Sequence, residues 1–476
     1  MSIRTALLAM ALAASAAAAD APMSVIRIPI ASRAALDALQ AQAGLDFIDV
    51  QPGYALASVN ASERALLDGR GVKYSVEYAD AEAFINNGRT GVGAYHTYDS
   101  VQTELAARAA DAPDLAKVAT IGTSVEGRAI TALVLEAPGA MPAAERPKML
   151  IMGLHHAREW ISVEVPMALI KKLVDGWKAN DAAIRQLLST RTLWIVPIVN
   201  PDGFVYSQTS STMWRKNRHK TWSFSVNGVD PNRNYGFEWE GSGSSTMSMS
   251  ETFRGTAPFS EPETQAIKAL AEREKFTAGI SYHSYSELVL FPWGYQTKVC
   301  PDDKTFRSVA TVMGNITKYR PQTGADLYLV NGEADDYLYG TLGAWAWTVE
   351  LGKQFIPRDN EIPGIVGPNV EAAMHVITHL ENLHAEPGIM LHLVERLTGL
   401  AGAARGPWSP GTYDEATRQR TLEWASRELG HRLSALAAKG GQAAIAPYLA
   451  ELARHAAGNL PELKAAARAA TAAVER

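Results

Sequence analysis

A chain of 476 residues, 47% of them hydrophobic, is too long for one ordinary domain and has enough apolar side chains for a large core, so two or three domains are expected. A formal net charge of −5, with no block rich in Lys or Arg, leaves no electrostatic footing for nucleic acid. Cys300 is the only cysteine, which rules out an internal disulfide and leaves stability to the core.

In chain order, residues 1–19 combine one positive charge in Met1-Ser-Ile-Arg4, a short apolar run and the small residues Ala17-Ala-Ala19. This is the pattern of a secretory signal peptide cut before Asp20, and it predicts a secreted or periplasmic protein. A membrane anchor is the other reading, but the run is short for a span. No later stretch is long and apolar enough to cross a bilayer once the signal is removed.

Residues 20–88 follow. Ser24-Val-Ile-Arg-Ile-Pro-Ile30 alternates like a strand, and Ser32 caps a helical pattern running to Ala43. Strands at 47–50 and 54–59 flank the turn Gln51-Pro-Gly53, a helix runs from Ser62 to Gly69, and 72–78 is a fourth strand. The βαββαβ order predicts a small ferredoxin-like sandwich with nothing catalytic in it. The polar stretch Asn86-Asn-Gly-Arg-Thr-Gly91 reads as a linker, with Arg89 as a cutting point for an activating, trypsin-like protease. The segment before it is then a removable pro-domain or a permanent N-terminal domain.

From 95 to 386, helical segments alternate with apolar ones at 118–121, 130–135, 149–152, 192–196, 278–282 and 344–350. Apolar strands between helices predict an α/β fold with its sheet covered on both faces. Within it, Lys148-Met-Leu-Ile-Met-Gly153 reads as a buried strand delivering His155-His-Ala-Arg-Glu-Trp160 to a helix. His156 and Glu159, three apart at a helix start, fall on one face, as two ligands of one metal need. Two further His-x-x-acid matches have blander settings: His96/Asp99 in a Tyr-rich strand-like stretch, and His392/Glu395 on what reads as a solvated helix face. A catalytic zinc takes a third protein ligand. The best candidate is His283, at the end of the buried strand Phe276-Thr-Ala-Gly-Ile-Ser-Tyr-His283, where a lone histidine otherwise has a structural role. The Gly-, Ser- and Met-rich stretch 241–250 reads as a surface loop. Beyond Pro387, alanine-rich helices at 414–439, 442–457 and 460–474 predict a C-terminal helical domain, 387–476, whose function its residues do not reveal.

Over about 95–385 the chain resembles the zinc metallocarboxypeptidases of the carboxypeptidase A/B/T family, peptidase family M14. The resemblance rests on Ile121-Gly-Thr-Ser-Val-Glu-Gly-Arg128, His156-Ala-Arg-Glu159, Asn200-Pro-Asp-Gly203, Trp214-Arg-Lys216, Gly228-Val-Asp-Pro-Asn-Arg-Asn234, His283-Ser-Tyr285, Tyr328 and Thr348-Val-Glu-Leu351. The pair His155-His156 is closest to the bacterial carboxypeptidase T branch, and the family register makes His156 the ligand. The resemblance implies a mixed, mostly parallel central sheet flanked by helices, and one Zn2+ per catalytic domain (95–386) held by His156, Glu159 and His283. Glu350 is the implied general base, Arg215 the implied stabiliser of the oxyanion, and Asp230 the implied partner that fixes the tautomer of His156. Arg233, helped by Asn232, is implied to clamp the α-carboxylate, Tyr328 to close over it, and Arg158 and Tyr285 to contact residues upstream of the scissile bond. Asp335 falls where B-type enzymes carry an aspartate at the base of the specificity pocket, which would favour C-terminal Lys or Arg. Alternatively, the Asp335-Asp336 pair caps a helix and Asp335 faces solvent.

The implied substrates are peptides or proteins with a free C-terminus. One rival reading is a hydrolase of cell-wall peptides cutting a γ-D-glutamyl amide, against which the full clamp of Asn232, Arg233 and Tyr328 speaks. A second is a catalytically inactive peptide-binding module, which would be expected to lack a ligand or the base that this chain keeps. An interaction scaffold on the C-terminal helices is compatible with catalysis.

Overall fold

The computed structural model describes residues 22–86, 89, 91–139, 141–221, 228–398, 415–456 and 468. The signal-peptide reading of 1–19 lies outside them, as does the helix read at 460–474 but for residue 468.

Two sheets organise the chain. The first holds β1 (Ser24–Pro29), β2 (Asp46–Gln51), β3 (Tyr54–Val59) and β4 (Ser75–Tyr78), antiparallel in the order β2-β3-β1-β4. Helices Arg33–Ala43 and Ala61–Gly69 connect them, giving the βαββαβ order read from the sequence. Ser32 caps the first helix by accepting the Ala35 N–H, and Asn60 forms a capping box with Glu63 at the second. Ile26, Ile28, Leu36, Phe47 and Leu67 give this unit a core of its own.

The second sheet has eight strands: β5 (Ala116–Thr123), β6 (Ala129–Leu135), β7 (Lys148–Gly153), β8 (Thr192–Val196), β9 (Ala278–His283), β10 (Leu288–Phe291), β11 (Arg320–Thr323) and β12 (Trp345–Glu350). Their order is β11-β10-β12-β9-β7-β8-β6-β5. The central run β12-β9-β7-β8 is parallel, whereas β5, β6 and β10 pair antiparallel with their inner neighbours. This is the mixed, mostly parallel sheet that the family resemblance implies. β8 and β9 are buried at every residue, as strands covered on both faces must be. The two strands the sequence did not announce are four residues long and lie toward one edge. In β11 the string Arg320-Pro-Gln-Thr323 is polar and carries a proline, which an edge position tolerates.

The parallel centre places three of the candidate site residues. Glu350 ends β12 opposite His283, which ends β9, and Tyr282 pairs with Gly153 at the end of β7. Three strands therefore deliver His156, His283 and Glu350 to the carboxyl edge of one sheet, where open α/β sheets bind ligands.

Helices Gly388–Thr398 and Glu415–Ala456 lie against this unit, the second broken at Gly441, with φ 66° and ψ −165°. Their Ile389, Met390, Leu393, Leu422 and Leu429 are continuous with the apolar core around the eight-stranded sheet. The His392 ring stacks on Tyr339 with centroids 5.9 Å apart, so that helix face is packed, not solvated as its polar pair suggests. No helix of the described residues is long and apolar enough to cross a membrane.

Candidate metal centre and the cleft around it

At the end of β7, any side chain on Gly153 would overlap the carbonyl oxygens of Ser162 and Pro197. The chain then passes through a turn before helix Ile161–Lys178 begins. His156 and Glu159 thus share one side of a turn, closed by Glu159 N–H donating to the His156 carbonyl at 3.2 Å, and not the face of a helix as their spacing suggests. His283 arrives from β9. All three are at most 4% exposed, and their ligand atoms lie within 4.8 Å of one another.

The orientation of the rings decides what the trio suits. His156 Nδ1 is 2.7 Å from Glu159 Oε1, His283 Nδ1 is 3.0 Å from Glu159 Oε2, and the two Nδ1 atoms are 3.2 Å apart. Both Nδ1 lone pairs therefore face a shared centre with a carboxylate beside them. The opposite nitrogens are committed elsewhere: His156 Nε2 to Asp230 Oδ1 at 3.1 Å and His283 Nε2 to the Ser281 hydroxyl at 3.1 Å. Two imidazoles and one carboxylate, oriented from behind, fit a zinc ion with a position left open. His155 does not join them. It stacks on His283 and bonds Tyr235 and Ser281, and burial pushes its imidazole well below the usual pKa, toward the neutral form. His96 is held between Glu164 and Glu104, away from this centre.

Asp230 ties the centre to Arg215. Its Oδ2 accepts from Arg215 Nε at 3.0 Å and Nη2 at 2.7 Å, while Oδ1 also accepts the Asn232 N–H. Burial opposes its ionisation, but Arg215 and His156 hold its carboxyl well below the usual range. Glu350 lies on the other side of His283. Burial pushes its carboxyl up to about 8, with His283 opposing and Glu159 adding to the rise.

The remaining residues named from the sequence converge on the same cleft, with one exception. Arg158, Arg215, Asn232, Arg233, Tyr285, Tyr328 and Glu350 line it together with His156, Glu159 and His283. Arg233 donates Nη1 to the Asn232 carbonyl at 2.8 Å, and its buried Nε has no hydrogen-bond partner. Burial pushes the Tyr328 phenol up to about 12. Asp335 is the exception: it is buried in the first turn of helix Ala334–Leu342, behind Thr348, whose hydroxyl it accepts at 3.2 Å. Neither alternative for it holds as stated, since it neither faces solvent nor lines the cleft. Glu333, the N-cap position of the same helix, lines it instead.

Sequence reasoning missed Asp46. At the start of β2, it reaches out of the N-terminal unit and pairs with Arg158 Nη2, while its Oδ1 lies 3.3 Å from Arg215 Nη1. Burial works against its charge, but Arg158 and Arg215 outweigh it and hold the carboxyl below its usual range. Phe47 packs edge-on against Tyr328 at 5.8 Å, and Asp46, Phe47 and Ile48 leave only about 50 Å³ of the cleft open. That is room for little more than a water molecule or two. An aspartate at the head of a half-polar strand carries no local signal of this role.

The chain is similar to known proteins in sequence and in fold. A family model described as zinc carboxypeptidase matches residues 101–372. Carboxypeptidase A4 of Mus musculus is 31% identical over 310 residues, 60% of this chain and 73% of that protein. Carboxypeptidase B of Astacus astacus is 34% identical over 271 residues, 54% of this chain and 86% of that one. Among solved structures, the carboxypeptidase A from Helicoverpa armigera aligns with a TM-score of 0.65 at 22% identity, over 76% of this chain and 97% of that one. Thrombin activatable fibrinolysis inhibitor aligns with a TM-score of 0.60 at 25% identity, over 76% of this chain and all of that one.

Proposed function

With a chain that belongs to the zinc carboxypeptidase family and is a metallocarboxypeptidase, we propose that it removes single residues from free peptide C-termini, with one zinc held by His156, Glu159 and His283. The observation that carries the residue assignment is the convergence of both Nδ1 atoms and the Glu159 carboxylate within 4.8 Å, with Glu350 one strand away from His283.

A bound zinc supplies a lowered pKa for the attacking water and polarisation of the scissile carbonyl. Glu350 takes the proton from that water and passes it to the leaving amine; opening the cleft and placing a cation beside it both favour its carboxylate form. Arg215, held by Asp230, donates to the developing oxyanion. Arg233 and Asn232 take the α-carboxylate, and the unpartnered Nε of Arg233 supports this role. Tyr328 closes over the C-terminal residue, while Arg158 and Tyr285 contact the residues before it.

Residues 20–88 act as a pro-domain on a secreted or periplasmic zymogen, with 1–19 as signal peptide, 95–386 as catalytic domain and 387–476 as a C-terminal helical domain. Asp46 supports the zymogen reading, because it occupies two arginines that substrate needs. Activation by a protease at Arg89 first requires release of that side chain from Asp359 and the Pro357 carbonyl. The pair His155-His156 supports placement on the carboxypeptidase T branch, and acidic groups around the cleft support a preference for C-terminal Lys or Arg.

The test is the trypsin-treated full chain, freed of trypsin, against peptides with a free or an amidated C-terminus, with and without chelator. Release of one residue from the free acid alone, lost in chelator, supports the proposal. Equal cleavage of the amidated peptide overturns it, and release only from γ-D-glutamyl peptides replaces it with the cell-wall reading.

A further inference from the structure

The pair His155-His156 brings two imidazoles to the end of β7, and the zinc assignment uses only the second. His155 is fully buried and does not line the cleft; it lies behind His283, on whose ring it stacks with centroids 5.3 Å apart. Ser281, two residues before His283 and so on the same face of β9, joins the two rings. Its hydroxyl oxygen is 3.1 Å from His283 Nε2 and 3.2 Å from His155 Nδ1. Beyond it, His155 Nε2 is 2.8 Å from the Tyr235 hydroxyl.

The Ser281 hydroxyl has one proton to place between the two rings. Donated to His283 Nε2, it leaves the proton of His283 on Nδ1, where Glu159 Oε2 accepts it at 3.0 Å and no lone pair remains for a metal. Donated to His155 Nδ1, it leaves the serine oxygen to accept from His283 Nε2–H, and the Nδ1 lone pair of His283 is free. His155 can accept there only as the neutral tautomer that carries its proton on Nε2 and donates it to the Tyr235 oxygen. Glu159 favours the first arrangement, so a metal-binding His283 needs an acceptor that draws the Ser281 proton the other way.

Resting on the zinc assignment above, we infer that His155 is a positioning residue for it: by accepting the Ser281 proton, it holds His283 in the tautomer whose bare Nδ1 faces the metal. Asp230 serves His156 by direct contact, whereas His283 is served through a relay of two side chains.

The experiment measures the zinc affinity of the intact full chain by competition with a chromophoric chelator. His155→Phe keeps a ring to stack on His283 but accepts nothing, and it is expected to weaken zinc binding about 10- to 100-fold, the range for losing a partner behind a metal ligand. His155→Asn, whose amide oxygen can stand in for Nδ1, is expected to restore most of that loss. In a Ser281→Ala background, His155→Phe should have little further effect, because the relay is already cut. Equal weakening by His155→Phe with and without the Ser281 hydroxyl, or by Phe and Asn alike, is a packing effect and overturns the assignment. So does unchanged affinity in His155→Phe. Wild-type chain that binds no zinc would instead count against the metal site itself, so the two failures are distinguishable.

Discussion

Asp46 of the N-terminal sheet pairs with Arg158, two residues beyond His156 of the proposed metal centre, with both side chains at most 2% exposed. Removing one partner of such a pair costs about 3–5 kcal/mol, because it leaves a buried charge uncompensated. Asp46→Asn strands Arg158 and weakens the hold on Arg215. The full chain carrying it should lose its N-terminal unit to trypsin faster than wild type and should cleave peptides before any proteolysis. Identical digestion time courses and a silent intact variant would show that Asp46 does not hold the cleft shut.

A second contact between the units predicts a pH dependence. Glu63 accepts the Ser250 hydroxyl at 3.0 Å and the Glu251 N–H at 3.1 Å. Burial, with Glu251 adding to it, pushes its carboxyl up to about 7 from 4.5. An acid whose folded pKa is raised binds more protons folded than unfolded, so stability falls as pH rises from about 4.5 to about 7 and the penalty is complete above that. The full effect is on the order of 3 kcal/mol. Burial also raises Glu251, with the same sign, and Lys216 opposes it. Glu63→Gln should therefore gain in Tm relative to wild type between pH 5 and 8, as read by thermal melts of the full chain. A constant difference across that range would remove Glu63 as the cause.

Arg233 has donors to spare, and a planar guanidinium holds a carboxylate through two of them. Arg233→Lys keeps the charge and loses the fork. For free-acid peptides kcat/KM should fall about 10- to 100-fold, the scale of losing one hydrogen bond to a charged group, and mostly through KM. Steady-state kinetics separate the two constants, and a fall confined to kcat would place Arg233 in the chemistry instead of the clamp.

What the sequence revealed, and what it did not, follows from the range of the forces involved. Runs such as Met149-Leu-Ile-Met152 announce buried parallel strands because burial on both faces leaves no polar position. His156 and Glu159 are readable because ligand spacing is local, although the turn that unites them is not a helix. Glu333 and Asp335 are two residues apart in one string, and only the register of helix Ala334–Leu342 against β12 decides which carboxylate reaches the cleft and which goes to Thr348. Asp46 is harder still: its partners lie 112 and 169 positions away, at Arg158 and Arg215, and nothing nearby on β2 marks it. The polar β11 escaped notice because an edge strand can carry Pro321 and Gln322.

If Glu350 moves the proton at a zinc held by His156, Glu159 and His283, Glu350→Gln separates metal binding from chemistry. Bound zinc and peptide turnover, determined together for this variant after trypsin treatment of the full chain, should give one zinc per chain, as in wild type, with turnover reduced at least about 100-fold, the lower end for loss of a general base. Wild-type turnover with zinc fully bound would show that Glu350 is not the base.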